Sequence, residues 1–179
     1  MEVSTTVAEI DDARDLFLLA KDRLLDVNDW QHLFPGNYDI ALTDRKGGPL
    51  RRSARVGDMI RISSLNAADN DPGMWIGIEK IQYDFFPDIL SESISMLLQT
   101  AYSPSGNGTG EQREETIIIK REGTTLTAHC NAGNELPATG DEDPNAHLNR
   151  DTELHPVLSI PQGDLRELLA GLVTVHNGE

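Results

Sequence analysis

The sequence predicts a single α+β domain, residues 1–179, built on a curved, mostly antiparallel sheet of about six strands. Segments with helical spacing of apolar residues lie near the two ends of the chain. The segments between them alternate apolar and polar residues, as half-buried strands do. We therefore expect a long N-terminal helix and a C-terminal helix to flank the sheet, in a helix-grip-like or barrel-like arrangement.

The first element is predicted as one long amphipathic helix from Thr6 to Leu33. Thr6 followed by Glu9 matches a capping box, and the Pro35-Gly36 pair is expected to end the helix. Apolar residues recur at steps of three and four positions, as on one helix face: Val7, Ile10, Ala13, Phe17, Ala20, Leu24 and Val27.

The next four elements are predicted as strands because their apolar residues alternate with polar ones: Tyr38–Thr43, Met59–Ser64, Trp75–Tyr83 and Ser91–Tyr102. A turn is expected at Asp44–Pro49. In the third strand the apolar parity changes after Ile78, which indicates a β-bulge near Glu79-Lys80. A helix is the alternative for the fourth.

The second half of the chain is predicted to hold a hairpin and a helix. Thr116–Arg121 and Thr124–Asn131 are β-rich runs on either side of Glu122-Gly123. Flexible segments are expected near 103–115 and 132–158. The final helix begins with Ser159 as a cap and Pro161 in its first turn, and its apolar stripe consists of Leu165, Leu168, Leu169, Leu172 and Val173.

Several short segments carry a resemblance: Leu42–Arg45, Val56–Ile62, Trp75–Glu79, Thr116–Gly123 and Gly133–Pro137. Together, over roughly residues 40–137, they resemble a set of small bacterial proteins that have no assigned activity. The resemblance implies one shared α+β domain and transfers no site residues.

Composition excludes several classes of partner. The formal net charge of −15 repels phosphate backbones, so we expect no nucleic-acid partner. The single cysteine, Cys130, cannot form an intramolecular disulfide, which favours a cytoplasmic location. No apolar run reaches the roughly 20 residues of a membrane span. Gly106, Gly108 and Gly110 lack the Lys-Ser/Thr ending of a nucleotide loop, and no cofactor is expected.

The most informative feature is a local concentration of basic residues in this acidic chain: Arg45, Lys46, Arg51, Arg52, Arg55 and Arg61. Arginine forks bind carboxylates and phosphates, so Arg51, Arg52, Arg55 and Arg61 are candidate ligand-binding residues. A solvated face paired with the protein's own acids is the alternative. Trp75 and Tyr83 are candidates for lining a small apolar cavity, although both also suit a core.

Residue patterns that would indicate catalysis or metal binding are weaker than the basic cluster. The acidic loops Asp69–Gly73 and Asp141–Asn145 lack the Glu that completes a calcium hand, and no metal is expected. His129 and Cys130 are neighbours that point to opposite faces of a strand, so Cys130 is expected to be a buried structural thiol. Carboxylates that could work in pairs are Glu79, Glu135 and Asp164.

The leading prediction is a non-enzymatic module that binds an anionic or apolar small molecule or a protein partner. One alternative is a small hydrolase or isomerase with Glu79, His129 or His147 in acid–base roles. Another is a structural subunit whose Thr6–Leu33 helix faces its partner. The sequence is also compatible with a homo-oligomer.

Overall fold

In the described parts of the chain, seven strands form one antiparallel, curved sheet in the order β1-β7-β6-β5-β4-β3-β2. The computed structural model describes residues 1–33, 37–66, 73–101, 104, 112–132, 157–158 and 160–175. The strands are β1 (Glu2–Thr6), β2 (Tyr38–Thr43), β3 (Met59–Ser64), β4 (Met74–Phe86), β5 (Ser91–Ala101), β6 (Glu114–Glu122) and β7 (Thr125–Ala132). The helices are α1 (Ile10–Leu25) and α2 (Gln162–Val173), with 3-10 turns at Val27–His32 and Pro87–Ile89.

The α+β class and the antiparallel sheet are confirmed, and the sheet has one strand more than predicted. The predicted strands and the hairpin are all present, and the C-terminal helix buries its predicted apolar stripe. Ser159, Tyr102 and most of the segments 103–115 and 132–158 lie outside the described residues. β6 already begins at Glu114, inside the first of those segments.

The predicted N-terminal helix is present, but it is shorter than Thr6–Leu33 at both ends and covers Ile10–Leu25. Thr6 ends the missed strand β1, and its hydroxyl bonds that of Thr125 at 3.0 Å rather than capping a helix. α1 ends at Leu25, and the fully buried Trp30 turns back toward it. The indole N–H of Trp30 donates to the carbonyls of Arg23 and Leu24 at 3.1 and 3.2 Å, so it satisfies carbonyls at the helix end.

The predicted bulge in β4 is confirmed. The pairing of β4 with β5 shifts register between Ile78 and Lys80, which leaves Glu79 as the extra residue. Ile81 therefore lies on the same face as Ile78, because Met96 and Leu98, their partners in β5, are two residues apart. That inner face is apolar and needs a cover.

The two helices and the turn Val27–His32 provide the cover. α1 packs against β6 and β7, α2 against β1 and β7, and the turn Val27–His32 against β2. α1 buries Ala13, Leu16, Phe17, Ala20 and Leu24 against the sheet. The resulting core is continuous from one edge of the sheet to the other.

The end of α2 meets α1 and Leu33, the residue after the turn Val27–His32. Nη1 of Arg23 donates to the carbonyl oxygens of Gly171, Leu172 and Thr174 at 3.3, 3.2 and 2.7 Å. These are the carbonyls that a helix C-terminus leaves unpaired, and the positive charge also complements the helix dipole. The backbone of Leu33 packs closely against Gly171 at this helix end. Only glycine allows such a close approach, because a Cβ there would lie 2.6 Å from the carbonyl oxygen of Leu33.

We predict that Gly171→Ala destabilises the fold by about 2 kcal/mol, because the added methyl group meets backbone that cannot move independently. Gly163 is the matched control within the same helix, since nothing lies within 4 Å of a Cβ built there. Gly163→Ala should be neutral or stabilise by up to about 1 kcal/mol. Urea denaturation of both variants measures the difference, and equal effects would contradict the close approach.

Candidate functional site

The connection between β2 and β3, residues 44–58, carries most of the basic residues. Oδ1 of Asp44 accepts the N–H groups of Lys46 and Gly48 at 2.8 and 2.9 Å, which forms the predicted turn. Further along, the side-chain amide of Asn28 donates to the carbonyl of Leu50 at 2.8 Å. The connection is thereby held against the turn Val27–His32.

Arg52 is engaged inside this connection. Its guanidinium donates to both carboxylate oxygens of Asp58, at 2.6 and 2.9 Å, and the backbone N–H of Arg55 donates to the same carboxylate at 2.8 Å. Burial raises the pKa of Asp58, but the hydrogen bonds from Arg52 and Arg55 outweigh it and hold that pKa below its ordinary value. The geometry gives Arg52 a structural role. Only the N–H groups of its guanidinium that do not bond to Asp58 could make the predicted ligand contact.

Arg61 is also paired. Its guanidinium lies 3.3 Å from Asp39 on the neighbouring strand β2, and both side chains are about half exposed. A pair in this setting contributes little to stability. It nevertheless neutralises one charge of the basic cluster.

The other members of the cluster form what we call the basic surface: Arg45, Lys46, Arg51 and Arg55. All four side chains are exposed, and within the described parts of the chain none forms a salt bridge with a carboxylate. Arg45 donates only to the carbonyl of Gly57, at 3.4 Å. The surface therefore presents cations whose charge the described part of the chain leaves unmatched.

Two open hollows flank the Arg52–Asp58 pair. The first, about 620 Å³, is lined by Asp22, Asp26, Asn28, Pro49, Leu50, Arg51, Arg52 and Ser53. The second, about 550 Å³, is lined by Asp44, Arg45, Lys46, Val56, Gly57 and Asp58. In the second hollow both carboxylates already accept hydrogen bonds from the protein, so the side chains of Arg45 and Lys46 set its charge. Asp22 and Asp26 make the first hollow mixed in charge.

Trp75 and Tyr83 do not line one cavity, because the bulge puts them on opposite faces of β4. Tyr83 pairs with the buried Ile94 and shares its inner face, whereas Trp75 pairs with Ala101, one residue out of phase with that face. The Trp75 indole instead packs on the turn after β2, 3.3 Å from where a Cβ of Gly47 would stand. The predicted joint cavity is therefore corrected.

Tyr83, itself about half exposed, contacts a buried ion pair that the sequence analysis missed. Its hydroxyl donates to Glu92 at 3.0 Å, and Glu92 accepts Nε of the fully buried Arg121 at 2.7 Å. Burial, followed by the neighbouring Glu92 carboxylate, raises the pKa of Tyr83. Glu92 and Arg121 are register partners on β5 and β6, so only the strand pairing could have revealed the ion pair.

Cys130 is held as a protonated thiol. Its Sγ donates to Oε1 of the buried Glu115 at 2.7 Å, and Oε2 of Glu115 accepts the Leu158 N–H at 2.8 Å. Burial and then the Glu115 carboxylate raise the pKa of Cys130 far above its ordinary value, which opposes formation of a nucleophilic thiolate. The predicted structural role agrees with this geometry, and His129 faces the other way, 3.5 Å from Glu2.

The remaining candidates for catalysis are dispersed. Glu79 is exposed at the bulge, and Asp164 accepts the hydroxyl of Tyr38 at 2.9 Å. His147, Glu135, Asp141–Asn145 and most of Asp69–Gly73 lie outside the described residues. Within the described residues, no group of three His, Cys, Asp or Glu side chains is placed to hold a metal ion.

A scan against models of protein families and a search of curated proteins found no match to this chain. Among the residues that the structure describes, no helix is long and apolar enough to cross a membrane.

The Arg52–Asp58 pair predicts a stability effect that depends on pH. Because the folded-state pKa of Asp58 lies below its ordinary value of 3.8, the pair stabilises the fold fully above that value. The contribution is lost as the pH falls through the folded-state pKa. Asp58→Asn should lower the Tm by roughly 4 °C or more at pH 7 and flatten the dependence of Tm on pH below about 4.

The matched control is Asp39→Asn, which breaks the exposed Arg61 pair and should change Tm by less than about 2 °C. Scanning calorimetry between pH 2.5 and pH 7 compares the variants, with the pH range set around the ordinary carboxyl pKa of about 4. If Asp39→Asn lowered the Tm more than Asp58→Asn does, the structural role assigned to Arg52 would be contradicted.

A second prediction concerns the thiol. Iodoacetamide should alkylate Cys130 in the native protein at pH 8 roughly 100-fold more slowly than in the urea-unfolded chain, because the native thiol is buried and resists deprotonation. Mass spectrometry of quenched samples gives both rates. Equal rates would show that Cys130 is accessible and would reopen a nucleophilic role.

Proposed function

We propose that this chain is a non-enzymatic interaction module whose basic surface receives the carboxylate groups of an acidic partner. The observation that carries the proposal is a set of four exposed cations, Arg45, Lys46, Arg51 and Arg55, in a chain of net charge −15. Among the described residues, Arg52 and Arg61 form salt bridges with carboxylates, and these four do not.

The local geometry favours the second hollow as the centre of this contact. Arg45 and Lys46 project from a turn that Asp44 and the backbone hold in place, so the two cations are positioned before any partner arrives. Val56, 59% exposed, adds an apolar surface on the same hollow. An arginine fork, an ammonium group and an apolar wall together suit a carboxylate on a short aliphatic side chain, as in Glu or Asp.

Arg51 and Arg55 would extend the contact on either side of the Arg52–Asp58 pair. Asp22 and Asp26 line the hollow that contains Arg51, so a compact anion there would be repelled as well as attracted. An extended acidic segment avoids this, because it places single carboxylates near separate cations. For this reason a protein segment fits the surface better than a small polyanion does.

The overall charge of the chain opposes long-range attraction of an acidic partner. At 0.15 M salt, however, the Debye length is about 8 Å, so distant carboxylates are screened and direct contacts dominate. Binding should therefore depend on the basic surface itself rather than on the net charge.

Binding of fluorescein-labelled hexaglutamate, followed by anisotropy at 0.15 M salt, tests the proposal. The variant Arg45→Gln, Lys46→Gln, Arg51→Gln, Arg55→Gln should bind at least about tenfold more weakly, because each close carboxylate contact contributes several tenths of a kcal/mol or more. The control variant carries Gln in place of the exposed cations Arg14, Lys80, Lys120 and Arg166 and thus has the same formal charge.

The control should bind hexaglutamate as tightly as the native chain does, within about twofold. Equal weakening of both variants would mean that net charge governs the interaction, and no change in either would remove the basic surface from it. Both results contradict the proposal. Circular dichroism melts establish that each variant is folded.

A further inference from the structure

The two edge strands of the sheet, β2 and β1, differ in whether their outward backbone groups have hydrogen-bond partners among the described residues. At the β2 edge the outward N–H of Leu42 donates to Oδ1 of Asn28 at 2.9 Å, and its carbonyl accepts the N–H of Leu50 at 2.9 Å. The N–H of Ile40 donates to Oε1 of Gln31 at 3.5 Å. Side chains of the turn Val27–His32 and the following connection therefore cover this edge, which prevents another strand from pairing there.

No described residue covers the β1 edge. Met1 and Cys130 exchange hydrogen bonds, and the N–H of Val7 donates to Thr124 at 3.0 Å, so the odd-numbered residues bond to β7. The backbone groups of Glu2, Ser4 and Thr6 consequently point outward. Nothing in the described parts of the chain pairs with those groups, and β1 contains no Pro, Lys or bulge that would block an added strand.

An apolar hollow lies beside the end of this edge. It has a volume of about 300 Å³ and is lined by Val7, Asp12, Asp15, Leu16, Leu19 and Val175. Leu19 and Val175 are 43% and 44% exposed, so apolar surface at the hollow is left to solvent. Val7 continues the strand parity of Val3 and Thr5, which face the helices. A strand added to β1 would direct alternate side chains toward the same side, and one near Val7 would reach the hollow.

Charge selects the kind of segment that fits. Asp12 and Asp15 stand exposed at the hollow, and Glu2 lies at the opposite end of the edge. A second copy of this chain would bring another net charge of −15 to the contact. A segment with Lys or Arg beside an apolar residue complements the acids and fills the hollow.

We propose that the β1 edge is a docking site for an extended, basic and apolar segment of another protein, which adds to the sheet as an antiparallel or parallel eighth strand. Main-chain hydrogen bonds to Glu2, Ser4 and Thr6 hold the segment, and the hollow receives one aliphatic side chain. This site is independent of the basic surface, which follows the opposite edge strand β2.

The probe is a fluorescein-labelled peptide, Lys-Thr-Val-Thr-Leu-Thr-Lys, which alternates apolar and polar side chains. Two derivatives are N-methylated at alternate amides, one set on each edge of the extended peptide. If the peptide adds to β1, one derivative should bind at least about tenfold more weakly than the parent, and the other within about twofold, because only one edge faces the protein. Equal behaviour of the two derivatives overturns strand addition.

Leu19→Gln tests the hollow, and Leu18→Gln is its control. The two leucines are neighbours on α1 and similarly exposed, 43% and 49%, but Leu19 alone of the pair lines the hollow. We expect Leu19→Gln to weaken peptide binding by about fivefold or more and Leu18→Gln to leave it unchanged within about twofold. Equal effects of the two substitutions overturn the role of the hollow.

Amide hydrogen exchange locates the contact. The N–H groups of Ser4 and Thr6 should exchange quickly in the free protein and slow by about tenfold or more when the peptide is saturating. Protection of both amides without peptide, together with a dimer mass in sedimentation equilibrium, would assign the edge to a second copy and overturn the proposal. Absence of peptide binding at 1 mM, a concentration corresponding to roughly −4 kcal/mol, would also overturn it. The four substitutions in the basic surface should leave this binding unchanged, so the two proposals fail separately.

Discussion

The position of Arg23 determines how the helices are seated on the sheet. Its guanidinium, projecting from α1, binds three carbonyls at the end of α2, while its own carbonyl accepts the indole N–H of Trp30. Neither helix has a side-chain hydrogen bond at its N-cap. The side-chain hydrogen bonds to the helix ends are therefore made at the C-termini. At the end of α2, Gly171 also allows the backbone of Leu33 to approach closely. Because a helix end buried without partners is costly, the end of α2 depends on Arg23 and the end of α1 depends on Trp30.

This junction also positions the candidate site. With Trp30 fixed, the preceding Asn28 reaches both the outward N–H of Leu42 and the carbonyl of Leu50. The N–H of Ala54 then donates to the carbonyl of Leu25, at the end of α1. The connection that carries the basic surface is thus attached to the helix end at several points. Its cations are exposed, but the backbone that bears them is ordered by the core.

Periodicity in the sequence predicted the strands β2 to β7, and the change of apolar parity in β4 predicted its bulge, because an extra residue moves the following side chains to the other face. It was misleading at the N-terminus, where helical spacing and a Thr6-Glu9 pair extended into residues that belong to β1. There the backbone pairing of β1 with β7 makes the strand, and it joins residues more than 100 positions apart. At the site, composition located the basic cluster but could not separate Arg52 and Arg61 from the rest. Their pairing with Asp58 and Asp39 depends on a loop path and a strand register.

The distribution of charge explains how one acidic chain can present two unlike surfaces. Seven strands at about 4.8 Å spacing place the edges roughly 29 Å apart along the sheet, several Debye lengths at 0.15 M salt. The basic surface beside β2 and the acidic hollow beside β1 therefore act on their surroundings almost independently. Between them the buried charges Arg121 and Glu92 neutralise each other. A surplus of carboxylates over the rest of the surface disfavours unspecific association with acidic chains, so an acidic partner would have to make close contacts with the basic surface.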